Sequence, residues 1–132
     1  QVNSDVWRVG RSILVTESDS QANDIINDQN GVFTNYYYYL NTHLKRLNGD
    51  INEKFDPLIE RAEAMSIAKE QVTIGSPSQV LDQLIEFYDT VGEFGYLNVT
   101  AHDISANPTL WLSSMRILAE DIVPQFSQHM KN

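Results

Sequence analysis

The sequence predicts an α/β protein with parallel strands in which helices dominate. Two short β segments, at about residues 7–16 and 96–101, are each followed by residues with helical periodicity. A repeated order of strand and helix is typical of a parallel sheet. The first segment ends in the continuous apolar run Ile13-Leu14-Val15, which suits a strand that is buried on both faces.

The helices after the first strand are bounded by sequence signals at both ends. Ser18 and Gln21 have the spacing of a capping box, which satisfies backbone N–H groups at the start of a helix. Asn48 followed by Gly49 is a typical helix end. Helices are therefore predicted over about residues 19–48, interrupted once by the polar stretch NDQNG.

An apolar stripe runs along the second of these helices. We call it the α2 stripe; its residues are spaced three and four apart and are Tyr36, Tyr39, Leu40, His43, Leu44 and Leu47. This spacing places them on one helix face, which predicts packing against neighbouring helices. The alternative, an aromatic wall formed by the Tyr36–Tyr39 run beside a hydrophobic substrate, stays open.

Residues 50–74 are interpreted as a polar excursion outside the main layers of the fold. They include Pro57 and show only a short helical pattern, which reaches Met65. A helix is then predicted at about residues 77–91. Ser76 opens this helix in a second capping box, with a Gln three residues later.

A last helix is predicted at about residues 108–123, after the second strand. Asn107 can cap it, and Pro108 occupies the first helical position, where its missing N–H costs nothing. Its apolar side comprises Leu112, Met115, Leu118, Ala119, Ile122 and Val123. Pro124 is expected to disturb the helix beyond that point.

Two parallel strands are too few for a self-sufficient sheet. Each would leave an unpaired edge, and strands that are apolar on both faces need more covering layers than two helical units supply. A complete (β/α)₈ barrel takes about 250 residues, whereas this chain has 132. We therefore predict a single partial domain over residues 1–132, consisting of the last two βα units of such a barrel.

The composition excludes several classes of function. With 18 acidic and 9 basic residues the net charge is −9, which disfavours binding to nucleic acid or to an anionic membrane. The chain has no cysteine, so thiolate sites are excluded and a cytoplasmic location is expected. No apolar run approaches the roughly 18 residues of a membrane-spanning helix. The three histidines lie far apart in the sequence, and no metal site is predicted.

Short motifs in a fixed order carry a resemblance to a known family. The motif of the first strand comprises Trp7, Arg8, Val9, Arg11, Ile13, Val15, Glu17, Asp19 and Ala22. The later motifs comprise Gly75, Ser76, Pro77, Gly92, Phe94, Gly95, His102, Asp103, Ser114, Met115, Val123 and Pro124. In this order they resemble the C-terminal part of the luciferase-like, flavin-dependent monooxygenases, in the alkanal and limonene monooxygenase-like branch. The resemblance spans nearly the whole chain.

The resemblance implies a fold and a chemistry. The two strands would be the seventh and eighth of a (β/α)₈ barrel. The full-length protein would take reduced FMN from a separate flavin reductase and use O₂ to oxidise a small hydrophobic substrate. Earlier strands would hold the flavin phosphate, so the chain alone is expected to bind no cofactor and to be inactive. Ile104 stands where the family has Trp, so the substrate itself does not follow from the resemblance.

The ends of the predicted strands give the candidate site residues. Functional groups of (β/α)₈ barrels gather at the C-terminal ends of the strands. Those positions hold Thr16 and Glu17 after the first strand, and His102 and Asp103 after the second. We expect these side chains to face the substrate or the flavin, and an imidazole titrates near neutral pH. Structural alternatives stay open, because the last two could pair or cap a loop and the Glu could favour the helix dipole.

A second function remains open. The chain could be a standalone acidic α/β interaction module without catalysis. For either function, unpaired sheet edges and exposed helices favour self-association, and we expect a homo-oligomer, in the simplest case a dimer.

Overall fold

A computed structural model describes residues 3–51 and 53–131. The strands are β1 (Arg8–Val15), β2 (Val72–Gly75) and β3 (Tyr96–Val99). The α-helices are α1 (Asp19–Ile26), α2 (Val32–Leu47), α3 (Pro57–Gln71), α4 (Pro77–Val91), α5 (Pro108–Ile117) and α6 (Val123–Lys131). A 3-10 turn covers Ser4–Val6, and a π-helical segment, Leu118–Ile122, joins α5 to α6. The chain forms two compact units: the first joins the residues up to Ala22 to those from Thr73 onward, and the second is Asn23–Val72.

The sheet has the strand order β2-β1-β3. Strands β1 and β3 are parallel, in a register that runs from Arg8 opposite Tyr96 to Arg11 opposite Val99. The predicted α/β fold with parallel strands is therefore confirmed. The sequence does not predict β2, because four residues give too short a pattern. Its place depends on pairing with β1, where the N–H of Thr16 donates to the Gly75 carbonyl at 2.8 Å.

One hydrophobic core holds the first unit together. Its buried residues are Ile13, Val15, Val80, Leu84, Phe94, Leu118, Ile122 and Phe126. Successive strand residues point to opposite faces of a sheet, so the side chains of Ile13 and Val15 face this core. Ser12 and Leu14 consequently face the other side of the sheet. Both are buried as well, which agrees with a strand covered on both faces.

The segment interpreted as an excursion is more regular than predicted. Helix α3 covers most of it, and Asp56 caps this helix by accepting the N–H of Leu58 at 2.9 Å. The helix buries the small residues Ala64 and Ala68 rather than large apolar side chains. Its amphipathic signal is therefore weak, although alanine strongly favours a helix.

Helix α2 packs against α3 through the face opposite to the α2 stripe. Tyr38 is half-buried beneath the guanidinium of Arg61, whose carbon lies 4.3 Å from the ring centroid. The Nζ of Lys45 lies 2.5 Å from an oxygen of Glu60. Every residue of the stripe is exposed, and Tyr39 reaches 74%. The prediction that the stripe packs against neighbouring helices is therefore wrong within this unit, because ion pairs and a cation–π contact favour the other face.

The predicted helix starts differ in their capping bonds. Ser18 Oγ accepts the N–H of Gln21 at 3.1 Å, but the Gln21 side chain bonds the N–H of Glu17 instead of that of Ser18. Ser76 makes no side-chain capping bond to the described residues, so the second predicted capping box does not form. Asn107 caps α5 as predicted, by accepting the N–H of Leu110 at 3.2 Å.

The last helix continues beyond Pro124 to Lys131. In the π-helical segment before the proline, the N–H of Val123 donates to the carbonyl of Leu118, five residues earlier. This wider turn accommodates a proline, which lacks an N–H and would clash inside a regular helix. The predicted apolar side of the helix divides: Leu118 and Ile122 join the core, whereas Leu112, Met115 and Val123 remain exposed.

Candidate functional site

A cavity of about 440 Å³ lies where β3 ends and β1 continues. The last residue of β3 pairs with Arg11, whereas β1 runs on to Val15. The cavity occupies the step that this difference in length creates. Its lining is mostly apolar and includes Ile13, Val99, Trp111, Met115, Leu118 and Val123. An apolar cavity with a few polar groups is the usual form of a small-molecule site.

His102 is the polar side chain of this cavity that can exchange a proton near neutral pH. Its Nε2 lies 2.8 Å from Ser12 Oγ on β1. Its ring lies 6.1 Å from the ring of Trp111, centroid to centroid, at an interplanar angle of 37°. Burial lowers the pKa of His102 below its ordinary value of 6.5, because the charged imidazolium loses solvation. At neutral pH the cavity therefore contains a neutral imidazole, which can both donate and accept a hydrogen bond.

Helix α5 supplies the wall of the cavity beyond the end of β3. Ser114 is 1% exposed, and its Oγ accepts the backbone N–H of Val15 at 2.8 Å. No β3 residue is paired with Val15, so the hydroxyl of Ser114 takes the role of a strand partner for this buried donor. The cap at Asn107 fixes the start of α5, which places Trp111 and Ser114 one turn apart on the side that faces β1 and the cavity.

Asp103 stabilises the loop after β3. Its Oδ1 accepts the backbone N–H of Ser105 at 3.0 Å, and hydrogen bonding by Ser105 lowers the pKa of the carboxyl group below its ordinary 3.8. This is the loop-capping arrangement that the sequence leaves open as an alternative. The carboxylate is exposed and does not line the cavity.

Thr16 and Glu17 lie at the end of β1, away from the cavity lining. Thr16 is fully buried, and its Oγ1 donates to the carbonyl of Ser18 at 2.8 Å. Glu17 is exposed, and its backbone N–H donates to the side chain of Gln21 at 3.0 Å. Thr16 follows Ser12, the partner of His102, by four strand positions, which amounts to about 13 Å. Among the four predicted residues, the structure thus places His102 alone at the cavity.

The sequence did not predict three residues at this site: Trp111 and Ser114 line the cavity, and Ser12 bonds the lining residue His102. Ser12 is a polar residue directly before an apolar run in a strand buried on both faces, and this contrast is the signal that could have revealed it. Trp111 and Ser114 lie on a helix whose apolar side is predicted one residue away. The periodicity alone cannot resolve that rotation, because apolar residues occur on both sides of the helix.

The lining does not by itself suit FMN. It contains no Lys or Arg, so a flavin phosphate would find no cationic partner there. A phosphate would need positively charged groups or a helix N-terminus from outside this cavity. Among the residues that the structure describes, no cluster of three His, Asp or Glu could hold a metal ion. No helix in the same residues combines the length and hydropathy needed to cross a membrane.

A parallel sheet with long helices and a cavity beyond a strand end is the architecture expected of part of a (β/α)₈ barrel. In fold the chain is similar to the oxygenating constituent of 3,6-diketocamphane monooxygenase from Pseudomonas putida, a type II Baeyer–Villiger monooxygenase solved in complex with FMN. The TM-score is 0.67 at 19% sequence identity, and the match covers 94% of this chain but 34% of that one. The predicted barrel fragment is consistent with this partial coverage.

The sequence comparison leads to the same enzyme. The chain is 29% identical over 52 residues to 3,6-diketocamphane 1,6-monooxygenase of Pseudomonas putida. This match covers 39% of this chain and 14% of that protein. No family model matches the chain. The chain thus spans about a third of the solved relative, at 34%. Fold and sequence together confirm the predicted relationship to flavin-dependent monooxygenases.

Proposed function

We propose that the chain forms part of an FMN-dependent monooxygenase that oxidises a small hydrophobic substrate with reduced FMN and O₂. The observation that carries this proposal is the fold match at a TM-score of 0.67 to a monooxygenase in complex with FMN. The apolar cavity beside β3 supports it, because its lining suits a hydrophobic compound that carries one polar group.

In this proposal His102 faces the substrate or the flavin. A neutral imidazole in an apolar cavity can hydrogen-bond a polar atom of the substrate or exchange a proton with it. Asp103 acts indirectly, because it holds the loop that carries His102. Thr16 and Glu17 remain candidates at the end of β1 for contacts with the flavin or substrate in the full-length protein.

The remaining part of the flavin site belongs to residues outside this chain. The cavity lining offers no cation for the FMN phosphate. The family resemblance implies that a separate flavin reductase supplies reduced FMN to the full-length enzyme. The chain alone is then inactive. A cytoplasmic location and the absence of nucleic-acid partners follow from composition alone and stay predictions.

A titration of FMN into the chain tests this division of the site. We expect flavin absorbance and fluorescence to remain those of free FMN over the micromolar range. Tight stoichiometric binding to the chain alone would contradict the proposal that the flavin site is incomplete here.

The cavity can be tested separately with a Trp7→Phe variant, in which Trp111 is the remaining one of the two tryptophans. Because Trp111 lines the cavity, a small alicyclic ketone such as cyclohexanone should change its fluorescence saturably. The added variant Ala119→Phe, which fills the cavity, should abolish that change. A linear response that is the same in both proteins would show that the cavity binds no such compound.

The alternative function is a standalone acidic interaction module without catalysis. The exposed α2 stripe favours it, because exposed apolar patches of this kind often mark contact surfaces. The discriminating observation is whether the source reading frame encodes further barrel strands before Gln1. Such strands would support the oxygenase, whereas their absence would favour the interaction module.

A further inference from the structure

The hydrogen bond between Ser12 and His102 joins residues that are 90 positions apart in the sequence. Ser12 lies in the rigid central strand and is 5% exposed. His102 lies on the irregular segment three residues beyond Val99, the last residue of β3. A residue on an irregular segment is therefore fixed through its side chain to the most rigid element of the sheet.

We propose that Ser12 is a positioning residue for His102. Its hydroxyl donates a hydrogen bond to Nε2, so that the neutral imidazole carries its proton on Nδ1 and keeps a defined orientation beside Trp111. This inference rests on the proposed function only in the statement that His102 faces a substrate or flavin. The arrangement of the two side chains stands on the geometry of the described residues.

The direction of the hydrogen bond follows from the burial of both groups. A buried hydroxyl proton needs an acceptor, and Nε2 lies 2.8 Å from Oγ, a normal distance for such a bond. Neutral imidazole has one acceptor nitrogen, which can accept this hydrogen bond. The lowered pKa of His102 is consistent with a neutral ring at pH 7.

Packing alone does not require a hydroxyl at this position. The following residues Ile13, Leu14 and Val15 are all apolar and buried, and an alanine would occupy the space of Ser12 without its oxygen. A buried polar group in such a strand contributes specificity rather than hydrophobic stabilisation. The specificity gained here is a single orientation and a single tautomer of His102.

Nitrogen-15 NMR of the imidazole rings tests this proposal directly on the chain. At a pH where His102 is neutral, its Nε2 resonance should be that of an unprotonated ring nitrogen and its Nδ1 that of a protonated one. In Ser12→Ala the ratio of the Nδ1–H to the Nε2–H tautomer should fall by about fivefold to tenfold, the factor expected for the loss of one net hydrogen bond. Ser12→Thr, which keeps the hydroxyl, should retain the wild-type ratio.

Two controls keep the test decisive. Ser78→Ala removes an exposed serine of α4 and should leave the His102 signals unchanged. The circular dichroism of Ser12→Ala should match the wild type, and if this variant does not fold, the wild-type and Ser12→Thr spectra alone decide. A wild-type ring protonated on Nε2, or an unchanged ratio in folded Ser12→Ala, would overturn the proposal. Because the readout involves neither flavin nor turnover, it is independent of whether the proposed oxygenase function is correct.

Discussion

His102 combines two properties that rarely coincide at an exposed surface. It is half-buried against Trp111, and one of its nitrogens is held by Ser12 at 2.8 Å. The first property lowers its pKa, and the second limits the motion of the ring. Together they present a neutral, oriented imidazole to an apolar cavity, which is the condition for selective hydrogen bonding to a small compound.

The lowered pKa predicts a pH dependence of stability. A histidine with a lower pKa in the folded than in the unfolded state binds fewer protons when folded, so its charging opposes folding. This group should not affect the free energy of unfolding above pH 6.5, the ordinary pKa. Below that value the free energy should fall as the pH drops toward the folded pKa. Urea unfolding across this range should show a steeper fall for the wild type than for His102→Gln, and equal slopes would contradict the prediction.

His102 was predictable because a strand followed by a loop is visible in the sequence. Ser12 and Trp111 were not, since their roles depend on the step between two paired strands and on the rotation of a helix. Thr16 and Glu17 were predicted by the same argument as His102, because they also follow the end of a predicted strand. The structure gives them the local tasks of closing a turn and starting α1, because β1 extends past β3 and carries them beyond the cavity.

At the scale of elements, Gly95, which directly precedes β3, allows the chain to pass close to the backbone of Asp5. A Cβ atom at this residue would lie 1.8 Å from the backbone oxygen of Asp5, so the backbone would have to move. We predict that Gly95→Ala lowers the free energy of unfolding by about 2 kcal/mol or more. Gly10→Ala is the matched control, because its Cβ would lie 3.9 Å from Thr100 Oγ1, an ordinary contact. Equal effects of the two variants in urea unfolding would contradict the prediction that a side chain at residue 95 collides with the backbone of Asp5.

Two of the three proline-led helix starts, those of α4 and α5, predict different responses to alanine. Asn107 makes a side-chain capping bond to Leu110, whereas Ser76 makes none to the described residues. Asn107→Ala should therefore cost about 1 kcal/mol of stability, and Ser76→Ala distinctly less. Chemical denaturation of both variants provides the comparison. A larger loss for Ser76→Ala would show that the capping bonds are assigned to the wrong helix.

Strong local signals predicted the elements better than they predicted the packing. Asn107 and Pro108 mark a helix that begins where expected, because capping is a local interaction. Strand β2 has only four residues, and α3 has only a weak apolar face, so both depend on tertiary contacts that no short window contains. The α2 stripe has the spacing of a buried face, yet its residues are exposed. Within the second unit, α3 packs against the opposite face of α2.

At the scale of the whole molecule, the exposed α2 stripe predicts self-association. Tyr39 and Leu47 are 74% and 70% exposed, and removing such side chains from water by contact between copies is favourable. The double variant Tyr39→Glu, Leu47→Glu should sediment as a monomer at concentrations where the wild type associates. Ser66→Glu adds the same kind of charge at an exposed position of α3 and should not change the association. A wild type that stays monomeric at millimolar concentration would refute this prediction.

The fold class was predictable because an alternation of strand and helix restricts the possible topologies strongly. The parallel register of β1 and β3 and the match to 34% of a related monooxygenase agree with the interpretation as part of a barrel. The substrate was not predictable, because Ile104 and the other lining residues describe only an apolar cavity. Chemical identity of a substrate needs the polar contacts of the complete site.

The most direct test of the central claim is the formation of an oxygenated product from a cyclic ketone, with reduced FMN and O₂, by the complete polypeptide that contains these residues. We predict that the complete wild-type protein and its Ser78→Ala variant, which changes an exposed residue of α4 outside the cavity lining, form an oxygenated product. His102→Ala should form it at least about tenfold more slowly, as expected when a positioned hydrogen-bonding side chain is lost. A complete protein that forms no oxygenated product from any ketone tested, or a His102→Ala variant as fast as the wild type, would contradict the account.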